Sequence, residues 1–287
     1  MVTARPVRIV VDSSASLPDD VVRDLDVTVV PIAVQIGQET YDDGVTLSRE
    51  QFYSALAGGM QPQTSQPSPG TFFAVYQKLL SQDRQTPIIS IHLTGKHSGT
   101  VQSAKLASEM FEGADIEVVD SGYTSAALGL VTMVAAKASQ LGLSKREILE
   151  AIDEARQRIV VYVCVPTLEY LRRSGRVSFA QAALADILAI KPILTMRNGF
   201  LEVAEKVRTY RRALERCIQL VEEQVGRTKV QVAIVHSNVP EAAEEFRRQV
   251  EGRLSVVSTM VSDIGSALAT HGGPGMLGLA CLSVNPS

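Results

Sequence analysis

Three short segments carry the residues with chemical potential. Thr270-His271-Gly272-Gly273-Pro274-Gly275 sets one imidazole among residues that free the backbone and expose its amides. Glycine lets the main chain approach a ligand closely, and Pro274 limits how far the turn can move. Far upstream, Thr64-Ser65-Gln66-Pro67-Ser68-Pro69-Gly70 crowds hydroxyls into a proline-stiffened turn, and Ser98-Gly99-Thr100 lies between the two. Neutral hydroxyls, backbone N–H groups and a histidine are the donors a negatively charged ligand requires. A glycine-rich turn ahead of the apolar run 276–284 is the plainer account of the His271 segment, but an imidazole among those glycines favours a ligand role.

Other polar positions are weighed in the same way. Asp12-Ser13-Ser14-Ala15-Ser16 suits either a ligand or an N-cap turn, and both readings stay open. Gly70-Thr71 precedes a helical pattern whose N-terminus would aim amides at an anion. Ser98 sits where a nucleophile elbow would, yet Gly95-Lys96-His97-Ser98-Gly99 lacks the Gly-x-Ser-x-Gly spacing. His97 cannot easily serve as the base of its neighbour, because adjacent side chains point apart. His92 reads as a strand histidine satisfied in the core, and His236 is ambiguous. Thr167 suits a helix N-cap and Gly175 a helix stop, which leaves Arg176 at a tight corner, suited to a carboxylate, a phosphate or an acidic partner.

The elements that position these residues alternate. β-branched runs at 7–11, 27–34, 88–93, 116–119, 159–165, 230–235 and 255–261 read as strands. Between several of them lie helical stripes, such as Ile148, Leu149, Ile152 and Ala155, or Leu214, Cys217, Ile218, Val221 and Val225. Pro18 suits a helix's first turn, and Gly142 and Gly226 read as C-caps. Asn198-Gly199 between two apolar runs predicts a hairpin. The fold class expected is α/β, with largely parallel sheets whose ligands lie outside the carboxyl ends of the strands. At 287 residues the chain suits two α/β domains, 1–158 and 159–287.

Composition narrows the function classes. A net charge of −3, dispersed basic residues and no Trp argue against a nucleic-acid surface. Cys164, Cys217 and Cys281 are far apart in sequence and read as buried free thiols of a reducing compartment. No stretch approaches the roughly 18 apolar residues of a membrane span, and residues 1–6 lack the apolar core of a signal peptide, so the expected location is the cytoplasm. There is no P-loop pattern and no metal-ligand cluster, so no cofactor and no metal are expected.

Five ordered motifs carry a resemblance: Asp12-Ser13-Ser14-Ala15-Ser16-Leu17-Pro18, Thr64-Ser65-Gln66-Pro67-Ser68, Ser98-Gly99-Thr100, Leu171-Arg172-Arg173-Ser174-Gly175-Arg176 and His271-Gly272-Gly273-Pro274-Gly275. In this order, across essentially the whole chain, they are similar to the DegV family of bacterial fatty-acid-binding proteins. The resemblance implies a ligand tunnel at the junction of two domains, with head-group loops in the first and the acyl-tail pocket in the second. It implies a long-chain fatty acid as ligand and a separate fatty acid kinase as partner. The kinase would convert the bound carboxylate to an acyl-phosphate for phospholipid synthesis, and the chain itself would be a carrier and not an enzyme. Carried over by position, the carboxylate site is Thr64, Ser65, Ser98, Gly99, Thr100, His271 and Gly272, with Arg176 on the rim facing the kinase or the transferred phosphate. The residue before Ser98, often apolar in such proteins, is His97 here. Tail-lining segments are sought at 182–190 and 193–196. The competing class is a serine hydrolase using Ser98 and His271 with Asp12 or Asp263; a phosphate-binding enzyme is a third.

Overall fold

The computed structural model describes residues 7–176 and 190–284. Its strands are β1 Arg8–Asp12, β2 Val27–Val30, β3 Ala33–Ile36, β4 Glu39–Asp42, β5 Gln63–Ser65, β6 Ile88–His92, β7 Ile116–Asp120, β8 Ile159–Cys164, β9 Lys191–Arg197, β10 Phe200–Val207, β11 Val230–His236, β12 Val256–Asp263 and β13 Leu277–Ser283. The helices are α1 Asp19–Asp24, α2 Arg49–Ala57, α3 Pro69–Gln82, α4 Thr100–Ser108, α5 Ser125–Gln140, α6 Lys145–Arg158, α7 Glu169–Ser174, α8 Tyr210–Val225, α9 Pro240–Glu251 and α10 Ser266–Gly272.

The first sheet runs β2-β1-β6-β7, with every pair parallel. All five residues of β6 are buried, because both faces of the sheet are covered. Strand alternation sorts the side chains: Ile9, Val11, Ile89 and Ile91 meet α5, while Val10 and Ile88 meet Phe72, Tyr76 and Ala104 of α3 and α4. The second sheet runs β10-β9-β8-β13-β11-β12. Its α8 and α9 face holds Cys217, Ile218 and Phe246. Ala233, Val235 and Ala280 of its opposite face join the cluster that contains α5.

The strand and helix alternation read from sequence is an α/β architecture here. Parallel pairing is complete in the first sheet and confined to β11/β12 in the second. The cause is local. A two-residue hairpin at Asn198 (φ 50°) and Gly199 (φ 81°) forces β9 and β10 antiparallel, and β13 enters between β8 and β11 running against both.

The single run expected at 27–34 is two strands in different sheets. Pro31 lacks an amide N–H and cannot extend the ladder, so the chain leaves the first sheet there. The Ile32 amide donates instead to Ser13 Oγ at 3.1 Å, and β3 joins a small antiparallel sheet ordered β4-β3-β5.

The strands of the first and third sheets precede residue 158, and those of the second follow it. Helix α5 lies between the large sheets, touching β1 on one side and β11 and β13 on the other. Twelve of its sixteen residues are buried, and small side chains make that possible. A Cβ on Gly129 would stand 2.7 Å from the Ala15 carbonyl oxygen. The three cysteines are free, buried and gathered in the core under α8. No helix among the described residues is long and apolar enough to cross a membrane.

Candidate functional site

In the parallel sheet the winding reverses between β1 and β6, since β1 leads outward to β2 and β6 leads outward the other way to β7. Loops diverging at such a point leave a crevice beyond the strand ends. A cavity of about 360 Å³ lies there, reached by the chain after β2 (Ile32), β6 (Leu93, His97, Ser98), β7 (Thr124, Ser125), β8 (Val165) and β12 (Ile264).

Part of its lining is polar. Thr64, carried by β5, places Oγ1 2.8 Å from His271 Nε2 on α10. That short helix is anchored from the other half of the chain: Asp43 Oδ1 accepts from the Ser266 amide at 2.9 Å, and Asp43 Oδ2 accepts from Ser13 Oγ at 2.8 Å. Burial, reinforced by the nearby Arg176 and His97, pushes the His271 pKa down to about 4, so the ring is neutral at neutral pH. Among the described residues its buried Nδ1 has no hydrogen-bond partner, and neither has Thr124 Oγ1. Buried polar atoms in folded proteins are generally paired, so spare ones at a cavity wall point to a ligand.

Ser98 precedes α4. Its Oγ is 2.8 Å from Thr100 Oγ1 and accepts from the Thr100 amide at 3.3 Å. Thr100 is fully buried and is not among the lining residues; it holds Ser98 from behind. Ser65, Gly99, Gly272 and Arg176 line the cavity with Thr64, Ser98 and His271. Thr167 Oγ1 accepts the Glu169 amide at the start of α7, and Gly175 ends that helix at φ 68°. The turn delivers half-buried Arg176 to the wall, where its Nη1 donates to the Ser174 carbonyl at 2.6 Å.

The rest of the lining is apolar. Val163 of β8 faces the cavity while Cys164 faces the opposite core, and Leu194 and Met196 of β9 alternate with Ile193 in the same way. Leu201, Leu268 and Met276 add to this wall. Of the tail-lining segments sought from sequence, 193–196 supplies two residues, and 182–189 lies outside the described residues.

The structure decides between readings at three further places. The start of α3 does not join this cavity: Ser68 caps it by accepting from the Thr71 amide at 3.1 Å, and Gly70 and Thr71 are absent from the cavity lining. In Asp12–Ser16 the capping reading holds, because Asp12 accepts from the Ser14 amide at 3.1 Å ahead of a 3₁₀ turn, Ser13–Ala15. The hydrolase triad is not assembled. His271 Nε2 meets Thr64 and not Ser98; its Nδ1 meets no carboxylate; Asp12 is taken by His92 and the Leu93 amide, and Asp263 accepts from the Gly265 amide.

Sequence reasoning missed Gln66, whose amide lies over Gly99, and the pair Thr124 and Ser125. A Thr-Ser step before a long run of small and apolar residues is an N-cap signal that marks the start of α5. Nothing local foretells the left-handed φ of 55° at Ser125.

A family model described as "Uncharacterised protein, DegV family" matches residues 6–284. A DegV domain-containing protein of Caldanaerobacter subterraneus is 34% identical over 274 residues, 95% of this chain and 97% of that one. A DegV family protein from Thermus thermophilus, described by its fatty-acid binding, superposes with a TM-score of 0.90 at 32% identity, covering 97% of this chain and 100% of that one. Bacillus subtilis DegV, described as a fatty-acid-binding protein, gives 0.86 at 29% identity over 98% and 100%.

Proposed function

The chain belongs to the DegV family, and from that premise we propose that it binds a long-chain fatty acid, tail in the apolar part of the cavity and carboxylate at the polar end. The observation that carries this reading is the cavity itself, apolar over most of its wall and lined also by hydroxyls and an imidazole whose second ring nitrogen is unpaired among the described residues. Transfer of about fifteen methylenes from water is worth on the order of 12 kcal/mol before ordering losses, so the tail dominates affinity. The carboxylate is costly to bury unpaired and needs charge-assisted donors. Thr64, Ser65, Ser98, Gly99, His271 and Gly272 are assigned to that end, with Thr100 acting through Ser98.

The finer reading is a carrier in the cytoplasm. A separate fatty acid kinase would move a phosphoryl group from its nucleotide to a carboxylate oxygen, giving an acyl-phosphate for phospholipid synthesis, with Arg176 at the rim. What supports it is the unassembled triad, which leaves the acid intact, and the half-buried guanidinium beside the head-group site. Organic extraction and mass spectrometry of protein purified from a bacterial host should yield about one fatty acid per chain. Arg176→Ala should keep that lipid yet lose turnover with an added fatty acid kinase and ATP. No extracted lipid, and no binding of added fatty acid, would overturn the assignment.

A further inference from the structure

His97 lines the cavity one residue before Ser98, and its Nε2 lies 3.0 Å from the amide nitrogen of Leu201. A backbone N–H can only donate, so this ring nitrogen holds the lone pair. A neutral imidazole must then carry its proton on Nδ1. Burial, with Arg176 adding to it, pulls the His97 pKa below its ordinary value, which favours that neutral form. Nδ1 makes no hydrogen bond among the described residues, so one donor is left over in a side chain that faces the site.

The contact made by the other nitrogen matters for the cavity wall. Leu201 pairs with Met196 across the β9–β10 hairpin, and both line the cavity. β10 is the edge of its sheet, where outward amides usually lack a protein partner. His97 accepts one of them. The same tip is held by Thr94 Oγ1, which donates to the Gly199 carbonyl at 3.0 Å. The Phe200 ring meets the His97 ring edge-on with centroids 6.1 Å apart, and Lys96 Nζ stands 5.4 Å from its centroid.

We propose that His97 acts on two sides at once: Nε2 fastens the β9–β10 hairpin to the loop after β6, and Nδ1–H is a further donor to the anionic end of the acyl ligand. This rests on the fatty-acid reading above. It makes His97 a determinant of acid over neutral lipid and joins head-group recognition to the wall that encloses the tail.

Two substitutions separate the roles. His97→Gln puts a carbonyl oxygen near the Nε2 position and removes the Nδ1 donor; His97→Asn puts an amide N–H near the Nδ1 position and removes the acceptor. Dissociation constants for palmitate and hexadecanol are measured on each full-length protein, with hydrogen exchange at the Leu201 amide. His97→Gln should lower the acid-to-alcohol preference about tenfold with Leu201 still protected. His97→Asn should keep the preference within about twofold while Leu201 exchanges at least about tenfold faster. An unchanged preference in His97→Gln, or equal weakening of both lipids in both variants, overturns the proposal and leaves the fatty-acid reading standing. A wild-type protein that binds neither lipid overturns both.

Discussion

Two clusters in this molecule use the same side-chain types to opposite ends. Under α3, Tyr76 donates to Ser90 at 2.8 Å, Ser90 Oγ lies 2.7 Å from His92 Nε2, and His92 Nδ1 lies 3.0 Å from Asp12. Its Ser-His-Asp order is that of a hydrolase triad, yet Ser90, His92 and Asp12 are wholly buried and the Phe72 ring covers the imidazole edge-on at 4.9 Å. Asp12 also accepts from the Leu93 amide at 3.0 Å and from the Ser14 amide and hydroxyl. Every polar valence named there is matched within the protein, and the cluster ties β1 to β6. At the cavity, Thr64 and His271 form a similar pair, but the second ring nitrogen is unmatched among the described residues. Residue type does not separate the two clusters; leftover hydrogen-bonding capacity beside open space does.

The contrast is tested most strongly by removing the buried acid. Asp12→Ala should cost about 4 kcal/mol in chemical denaturation, since it leaves several buried donors without an acceptor, and a loss under about 1 kcal/mol would dissolve the distinction. Next comes pH. The folded His271 pKa of about 4 lies below the ordinary 6.5, so the unfolded chain binds the proton first as pH falls. The ligand-free protein should therefore lose up to about 3 kcal/mol between pH 6.5 and 4 from this group, and nothing above that window. His97 and His236, also lowered chiefly by burial, act in the same direction. A bound carboxylate should draw the His271 titration upward. Histidine resonances followed by NMR with and without palmitate read this directly, and a titration indifferent to ligand would remove His271 from the head-group site. The smallest effect is expected for Thr64→Val, which should weaken palmitate about tenfold by calorimetry while changing stability by less than about 1 kcal/mol. A stability loss matching that of Asp12→Ala would instead make the pair structural.

Much of the fold was legible because strands and helices write their burial into local periodicity. The β6 run, the α8 stripe and the Asn198-Gly199 turn each depend on neighbours a few residues away. Pro31 is a local signal too, set inside an apolar run. The direction of β13 was beyond reach, since nothing within 277–283 says that it will enter between β8 and β11.

The site divides the same way. Sequence alone determined the order of the motifs, the donors available in them and the absence of a P-loop pattern. Tertiary structure decided which donors remain free. Thr64 and His271 stand 207 positions apart, and Leu201 reaches His97 across 104. Whether a hydroxyl or a ring nitrogen is matched depends on partners that only folding brings within about 3 Å. For that reason His92 is an internal strut while His271, the same residue type, is left with a valence for something else.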